Sequence, residues 1–237
     1  MSRMKAIVVL SGGMDSTVTL ALAQACHPGP GEVGALHFQY GQRHSCETEC
    51  ARRIAEIRGV ELMVLDAGVL QDIGDSALLS RDDPIRDSHS MDEDLPASWV
   101  PGRNLIFLTL AAMVAFREGA REIWTGVGQV DFSGYPDCRK TTISALEVAI
   151  NLGLGLGTTD GHRPVEIGAP LMNSSKADIW AIASDLGILD LVRLESHSCY
   201  EGDRTMLHPW GYGCGICPAC VLRAEGWERA EKRRSGR

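Results

Sequence analysis

Apolar residues follow two rhythms along the first part of the chain. Residues 5–10 (KAIVVL) are an almost unbroken apolar run that stops at a glycine turn, as expected of a strand buried on both faces of a parallel sheet. Residues 15–25 then read as a helix, with Leu20, Ala21 and Ala23 among its apolar positions. A second strand fits residues 33–38, a second helix residues 46–58 and a third strand residues 61–65. Cys46, Cys50, Ile54 and Ile57 recur along one face of that second helix.

This β-α-β-α-β succession predicts an α/β fold, a doubly wound parallel sheet with helices on both faces. From residue 66 to 98 the periodicity fails and Asp, Ser and Pro are frequent. A long loop with at most one short helix is expected there, the kind of segment that often serves as a lid. Helices are predicted again over residues 104–116, 142–152 and 176–186, and short strands over 122–126 and 165–167. From residue 196 onward glycine and cysteine accumulate. The predicted organisation is a nucleotide-binding domain over residues 1–195 carrying a small metal-folded module over 196–237.

Charge narrows the partners. The 237 residues include 31 acidic and 23 basic side chains, a net charge of −8. A nucleic-acid-coating protein needs a basic footprint, so no nucleic-acid partner is expected. Arg229, Lys232, Arg233, Arg234 and Arg237 cluster near the C-terminus, where a solvated, frayed end is the simplest expectation. The apolar run after Arg3 and Lys5 is too short for a signal peptide, and the stretch 105–116 is too short to span a bilayer. A cytoplasmic protein with no membrane association is therefore expected. In a reducing compartment its eight cysteines should be metal ligands or buried thiols rather than disulfides. Cys26, Cys46 and Cys50 read as buried helix-face thiols.

Between the first strand and first helix stands SGGMDS, Ser11 to Ser16. This is where open parallel sheets bind ligands. Gly12 and Gly13 let the backbone turn and approach an anion closely. Hydroxyls of Ser11, Ser16 and Thr17 and the positive end of the helix can face phosphate oxygens. No Lys-Ser/Thr pair follows the glycines, so this is not a Walker loop. Asp15 beside polyphosphate requires an intervening magnesium ion or ribose hydroxyl; otherwise it merely caps the helix.

Cys214, Cys217 and Cys220 form overlapping CxxC units in CGICPAC, with Cys199 upstream in SCYEG. Four thiolates suit a closed, structural zinc site with no position left for substrate. His208 or His197 could replace Cys199 as ligand. A redox CxxC would ordinarily open a helix of a thioredoxin-like unit, which this tail does not resemble.

SGGMDS resembles the signature of the PP-loop ATP pyrophosphatases, in which the loop grips the β- and γ-phosphates and leaves the α-phosphate open to attack. YGQRH (40–44), VPGRNLIFLTLAA (100–112), DFSGYPDCR (131–139), PLMNSSKADI (170–179), SCYEG (198–202) and CGICPAC (214–220) resemble, in order, the 7-cyano-7-deazaguanine synthase family of queuosine precursor formation. That resemblance implies conversion of 7-carboxy-7-deazaguanine and ammonia into a nitrile at the expense of ATP. Both carboxylate oxygens must leave, so two adenylations per turnover are expected.

For that reaction, the chemistry of the side chains suggests roles for particular residues. The whole stretch Leu10, Ser11, Gly12, Gly13, Met14, Asp15, Ser16, Thr17, Val18, Thr19 and Leu20 would bind ATP, with Asp15 oriented towards magnesium. Arg103 and Lys176 would neutralise the phosphates, and Arg139 would steer the substrate carboxylate. Asp131 or Asp137 would accept hydrogen bonds from the guanine-like edge, Tyr135 would stack on the base, and Cys138 would line the pocket. Each has a blander reading: Arg103 as a loop cap, Lys176 as a solvated first-turn residue, and Asp137 as a turn residue after Pro136. His44 reads as structural or substrate-adjacent. Two features depart from the family pattern: His197 stands where tryptophan is common, and the interval from Cys199 to Cys214 is long. With no amidotransferase segment visible, free ammonia is the expected nitrogen source, and a homodimer is the default oligomer.

Two other functions fit parts of the pattern. A PP-loop enzyme delivering sulfur to tRNA would use Cys138 or the tail cysteines, but would want a basic surface. A zinc-module regulator binding nucleic acid would have no use for the phosphate loop.

Overall fold

The structure is a computed structural model that describes residues 4–41, 46–73, 88–89, 92–96, 99–128, 135–157 and 163–236. Five parallel strands form the central sheet: β1 (Ala6–Val9), β2 (Val33–Gln39), β3 (Leu62–Asp66), β6 (Glu122–Thr125) and β7 (Glu166–Gly168), in the order β3-β2-β1-β6-β7. Ala6 lies opposite both Val33 and Glu122, so β1 is the central strand. The chain winds outward from β1 to β2 and β3, then returns to build β6 and β7 on the other side. The topological switch point therefore falls between β1 and β6, at the mouth of the SGGMDS turn.

The unbroken apolar run of β1 is explained by burial on both faces. Ala6 and Val8 point into a core shared with α1 (Met14–Cys26) and α2 (Cys46–Arg58). Ile7 and Val9 point into the opposite core, under α4 (Arg103–Glu118) and α5 (Lys140–Gly153). A third apolar cluster joins Met14, Val18 and Ala21 of α1 to Ile179, Trp180 and Ala183 of α6 (Lys176–Asp185), Val192 of α7 (Leu189–Glu195) and Trp210, Cys217 and Cys220 of the tail. The tail thus shares a core with the helix that follows the phosphate loop. In the tail, β8 (Leu207–His208) pairs antiparallel with β9 (Gly211–Tyr212), and α8 (Pro218–Ser235) closes the chain.

Several expectations need correction. The segment from 66 to 98 contains the predicted short helix, α3 (Val69–Ile73), but also a two-stranded ribbon, β4 (Ser88–His89) and β5 (Asp92–Pro96). Ile57 lies outside the buried face of α2, where Thr48, Cys50, Ala51, Ile54 and Ala55 are inside. Cys26 is exposed at the end of α1, not buried. The basic C-terminus is held rather than frayed over its described part. Arg233 donates to Asp178 at 2.7 Å, Arg234 pairs with Glu231, and Trp227 meets Trp180 edge-on at 5.0 Å. Gly226 permits this close crossing, because a Cβ there would lie 2.4 Å from Lys176 Cβ. Asp178 and Ser175 also form a reciprocal capping box that starts α6.

Candidate active site and metal centre

The turn after β1 is braced from within. Ser16 Oγ donates to Gly13 O at 3.0 Å and lies 3.0 Å from Ser11 Oγ, while the Ser11 N–H donates to Ser16 Oγ at 3.2 Å. Gly12 has φ +90°, and a Cβ there would come within 2.4 Å of Glu47 O. Gly126, beyond β6, is equally confined: its Cβ would lie 2.9 Å from Ser16 N. Backbone from β6 and α2 therefore closes on the turn from two sides, which only glycine allows. The N-cap of α1 is Gly13, without a side-chain cap, so the orphan N–H groups of the first turn remain for a ligand.

Asp15 does not cap the helix. Its Oδ2 accepts from Lys176 Nζ at 2.7 Å, and its Oδ1 is buried without a hydrogen-bond partner. A buried, unsatisfied carboxylate oxygen costs free energy unless a cation or donor binds there. Lys176, at the start of α6, is correspondingly paired and only partly exposed, not a solvated surface lysine. Thr17 and Thr19 are buried, with hydroxyls turned back to Gly13 O and Asp15 O. Leu10, Met14, Val18 and Leu20 lie in the core beneath the turn. Of the stretch from Leu10 to Leu20, the partly exposed members are Ser11, Gly13 and Asp15.

Beside the turn, also at the carboxyl end of the sheet, Arg103 opens α4. Its guanidinium lies 5.7 Å from the Tyr40 ring centroid and 5.9 Å from that of Tyr135, and Nη1 donates to Tyr40 Oη at 3.4 Å. Burial pushes the Tyr40 hydroxyl up to about 12. Asp137 sits in a 3₁₀ turn (Pro136–Cys138) and is 4% exposed. Its Oδ2 accepts from the Asn104 N–H at 2.9 Å and from Asn104 Nδ2 at 3.0 Å, supplying the cap that Gly102 cannot give α4. Its Oδ1 is buried and unpaired. Cys138 accepts a hydrogen bond from Asn104 Nδ2 at 3.3 Å, and burial pushes its thiol up to about 12. A thiol so placed stays protonated and is a poor nucleophile. Arg139 is exposed at the N-cap of α5. Asp131 and His44 lie outside the described residues.

The four tail cysteines converge. Sγ atoms of Cys199, Cys214, Cys217 and Cys220 all lie within 4.8 Å of one another, with Cys214 to Cys220 and Cys217 to Cys199 both 4.0 Å. A tetrahedral site with zinc–sulfur bonds of about 2.3 Å has sulfur–sulfur edges of about 3.8 Å, so this donor set fits such an ion. N–H groups of Cys214 and Cys217 donate to Cys199 Sγ and Cys214 Sγ at 3.4 and 3.3 Å, as thiolates require. Hydrogen bonds from Cys217 and Cys220 hold the Cys199 thiol well below its ordinary range. His208 is excluded from the cluster: its Nε2 lies 2.9 Å from Gly213 O and its ring stacks on Trp210 at 4.4 Å.

The tail also touches the phosphate turn. The His197 N–H donates to Gly12 O at 2.9 Å. Ser198 Oγ accepts from Arg223 Nη1 at 3.1 Å, and Arg223, 1% exposed, also donates to Trp210 O and Val192 O at 3.0 and 2.7 Å. Burial pulls the Arg223 guanidinium down to about 10, still charged at neutral pH. Its charge lies beside the core that holds Cys199, Cys217 and Cys220.

A family model described as queuosine biosynthesis protein QueC matches residues 5–231. The chain belongs to the QueC family. Curated members are similar over nearly their whole length. A 7-cyano-7-deazaguanine synthase of Acidovorax sp. (strain JS42) is 45% identical, covering 98% of this chain and 95% of the relative. One of Alkalilimnicola ehrlichii is 47% identical over 94% of each. Among solved structures, an NH3-dependent NAD synthetase of Campylobacter jejuni covers 99% of this chain and 86% of its own at 18% identity, with a TM-score of 0.44. None of the described helices is long and apolar enough to cross a membrane.

Within this QueC-family fold, sequence reasoning missed four groups that the structure brings to the site. Tyr40 stood inside the quoted YGQRH segment without a role. Glu47 was hidden in an ordinary helix start, Asn104 in the opening of α4, and Arg223 in a basic-looking tail. Tyr40, two residues past a predicted strand in YGQRH, and Asn104, in VPGRNLIFLTLAA, carried a signal through those segments; Glu47 and Arg223 carried none.

Proposed function

We propose that this chain converts 7-carboxy-7-deazaguanine and ammonia to 7-cyano-7-deazaguanine through successive adenylation of the acid and of the amide. Similarity at 45–47% identity over nearly the full chain to proteins named 7-cyano-7-deazaguanine synthase carries the reading. The geometry of the phosphate turn supports it. The free N–H groups at the start of α1 would hold the pyrophosphate portion of ATP. Asp15 Oδ1, buried and unpaired, fits magnesium; Lys176, now on Oδ2, would move onto phosphate oxygens as the leaving group develops charge. Arg103 would serve the same charge from the other side.

The base would lie against Tyr135 with its N–H edge on Asp137 Oδ1. Asp131 would contribute a second acceptor, and Arg139 would meet the carboxylate as substrate enters. Cys199, Cys214, Cys217 and Cys220 would hold one zinc ion, which folds residues 196–237 onto the domain of residues 1–195 and takes no part in chemistry. Free ammonia, a homodimeric state, a cytoplasmic location and the lack of a nucleic-acid partner complete the proposal. Sulfur delivery to tRNA is disfavoured by the buried, protonated Cys138 thiol.

Incubation with ATP, magnesium, ammonium and the carboxylated base, followed by mass measurement of the base and identification of the nucleotide, tests the reading. Nitrile with AMP is expected; ADP as the sole nucleotide product would reject it.

A further inference from the structure

Making a nitrile from an acid requires nitrogen to shed protons. On the reading proposed above, ammonia forms a C–N bond to the acyl adenylate, the C–O bond to AMP breaks with its electron pair going to AMP, and one N–H proton leaves. After adenylation of the amide oxygen, one N–H proton passes to a base and the other to water as the C–O bond to AMP breaks, its electron pair going to AMP, and the C≡N bond is completed. Arg103 and Lys176 are cations and cannot accept these protons. Asp15 is paired with Lys176, and one oxygen of Asp137 caps α4. Burial keeps Tyr40 and Cys138 protonated at neutral pH.

Among the described residues, one further carboxyl at this end of the sheet is uncommitted. Glu47 lies in the first turn of α2, with its backbone carbonyl against Gly12 of the phosphate turn. Its side chain faces Arg103 of α4 and His197 of the tail. Tyr40, Cys46 and Cys50 are its other titratable neighbours. Among the described residues it has no hydrogen-bond or ion-pair partner. We propose that Glu47 is the general base of the amination, taking the proton from the attacking nitrogen and again from the nitrogen of the adenylated amide. The position suits this role: Glu47 borders the turn that would grip the triphosphate, where the reacting carbon would be presented. Burial raises the Glu47 carboxyl above its ordinary value, against the opposing pull of Arg103 and His197, which brings it towards the range that suits a base at neutral pH. The inference depends on the proposed nitrile synthesis.

The test uses the zinc-loaded full chain and its Glu47→Gln and Glu47→Asp variants. ATP–pyrophosphate exchange supported by the carboxylated base without ammonium reads adenylation alone. Single-turnover conversion of acid to amide, and of supplied amide to nitrile, reads the proton-shedding steps. In Glu47→Gln, both nitrogen steps should fall about 100-fold or more, with exchange reduced far less. The acidic limb of the wild-type pH profile, which rises as Glu47 deprotonates, should vanish. Glu47→Asp should recover part of the rate and keep the limb. Equal losses of exchange and amination in Glu47→Gln, or an acidic limb that survives, would overturn the assignment and leave Glu47 a structural group. Absence of exchange in the wild-type chain would remove the adenylation reading itself, and this inference with it.

Discussion

Replacing Gly12 with alanine separates the close approach at the phosphate turn from ordinary glycine strain. Gly12 has φ +90°, and its added Cβ would meet Glu47 O at 2.4 Å, Ala51 N at 3.0 Å and Cys50 Cβ at 3.2 Å. The nearest two are backbone atoms of α2, so no side chain can swing away. Left-handed backbone costs a residue with a Cβ about 1–2 kcal/mol, and forcing atoms into a packed site adds about 1–3 kcal/mol. The sum is roughly 2–5 kcal/mol. Gly59 supplies the control: φ is +65°, but nothing lies within 4 Å of its added Cβ. Gly59→Ala should therefore cost only the first amount. Urea denaturation of both variants measures the difference, and ATP affinity measures its consequence. A turn displaced by about 1 Å should lower activity about 100-fold in Gly12→Ala and leave Gly59→Ala near wild type. Equal destabilisation of the two variants, with ATP binding intact in both, would show that the packing of α2 against Gly12 contributes nothing to the turn.

Asp137→Ala should lower stability by about 1–2 kcal/mol through loss of the cap on α4, seen in thermal melts; an unchanged melting temperature would mean that Asn104 finds other partners. Cys138→Ala should retain nitrile formation, because the thiol is buried and protonated; a complete loss would reopen thiol chemistry. Metal analysis should find one zinc per chain, and chelation or Cys220→Ser should unfold the tail and lower the melting temperature, since Cys217 and Cys220 belong to the core shared with α1 and α6. His37 is buried between Leu10 O and Thr48 Oγ1 at 2.9 Å each, and burial lowers its pKa. The unfolded chain therefore binds the proton first, so the contribution of His37 is complete above about pH 6.5 and declines as pH falls towards the lower folded value. Denaturation at several pH values, compared with His37→Asn, should show that decline only in the wild type.

The sheet and phosphate turn were legible because their signals are local. A doubly buried strand writes an apolar run, and a turn that admits backbone from two sides requires glycine. The cysteine spacing was legible for the same reason, since a metal site needs nearby donors. Groups aimed across the fold were not. Glu47 looks like any first-turn acid until α2 is seen against Gly12, and the capping of α4 by Asp137 crosses from another loop. Arg233 and Arg234 read as solvated charge, and Arg223 carried no role, because sequence does not reveal that α8 lies on α6. Cys26 and Ile57 failed the other way: helical spacing alone does not say where a helix's buried face ends.

In the proposed reaction each carboxylate oxygen would leave as part of AMP. Substrate carrying oxygen-18 in both carboxylate positions, turned over with ATP and ammonium, tests it directly. Two molecules of AMP per nitrile, each with one heavy oxygen in its phosphate, are expected. Heavy oxygen in free phosphate or water, or ADP in place of AMP, would contradict it.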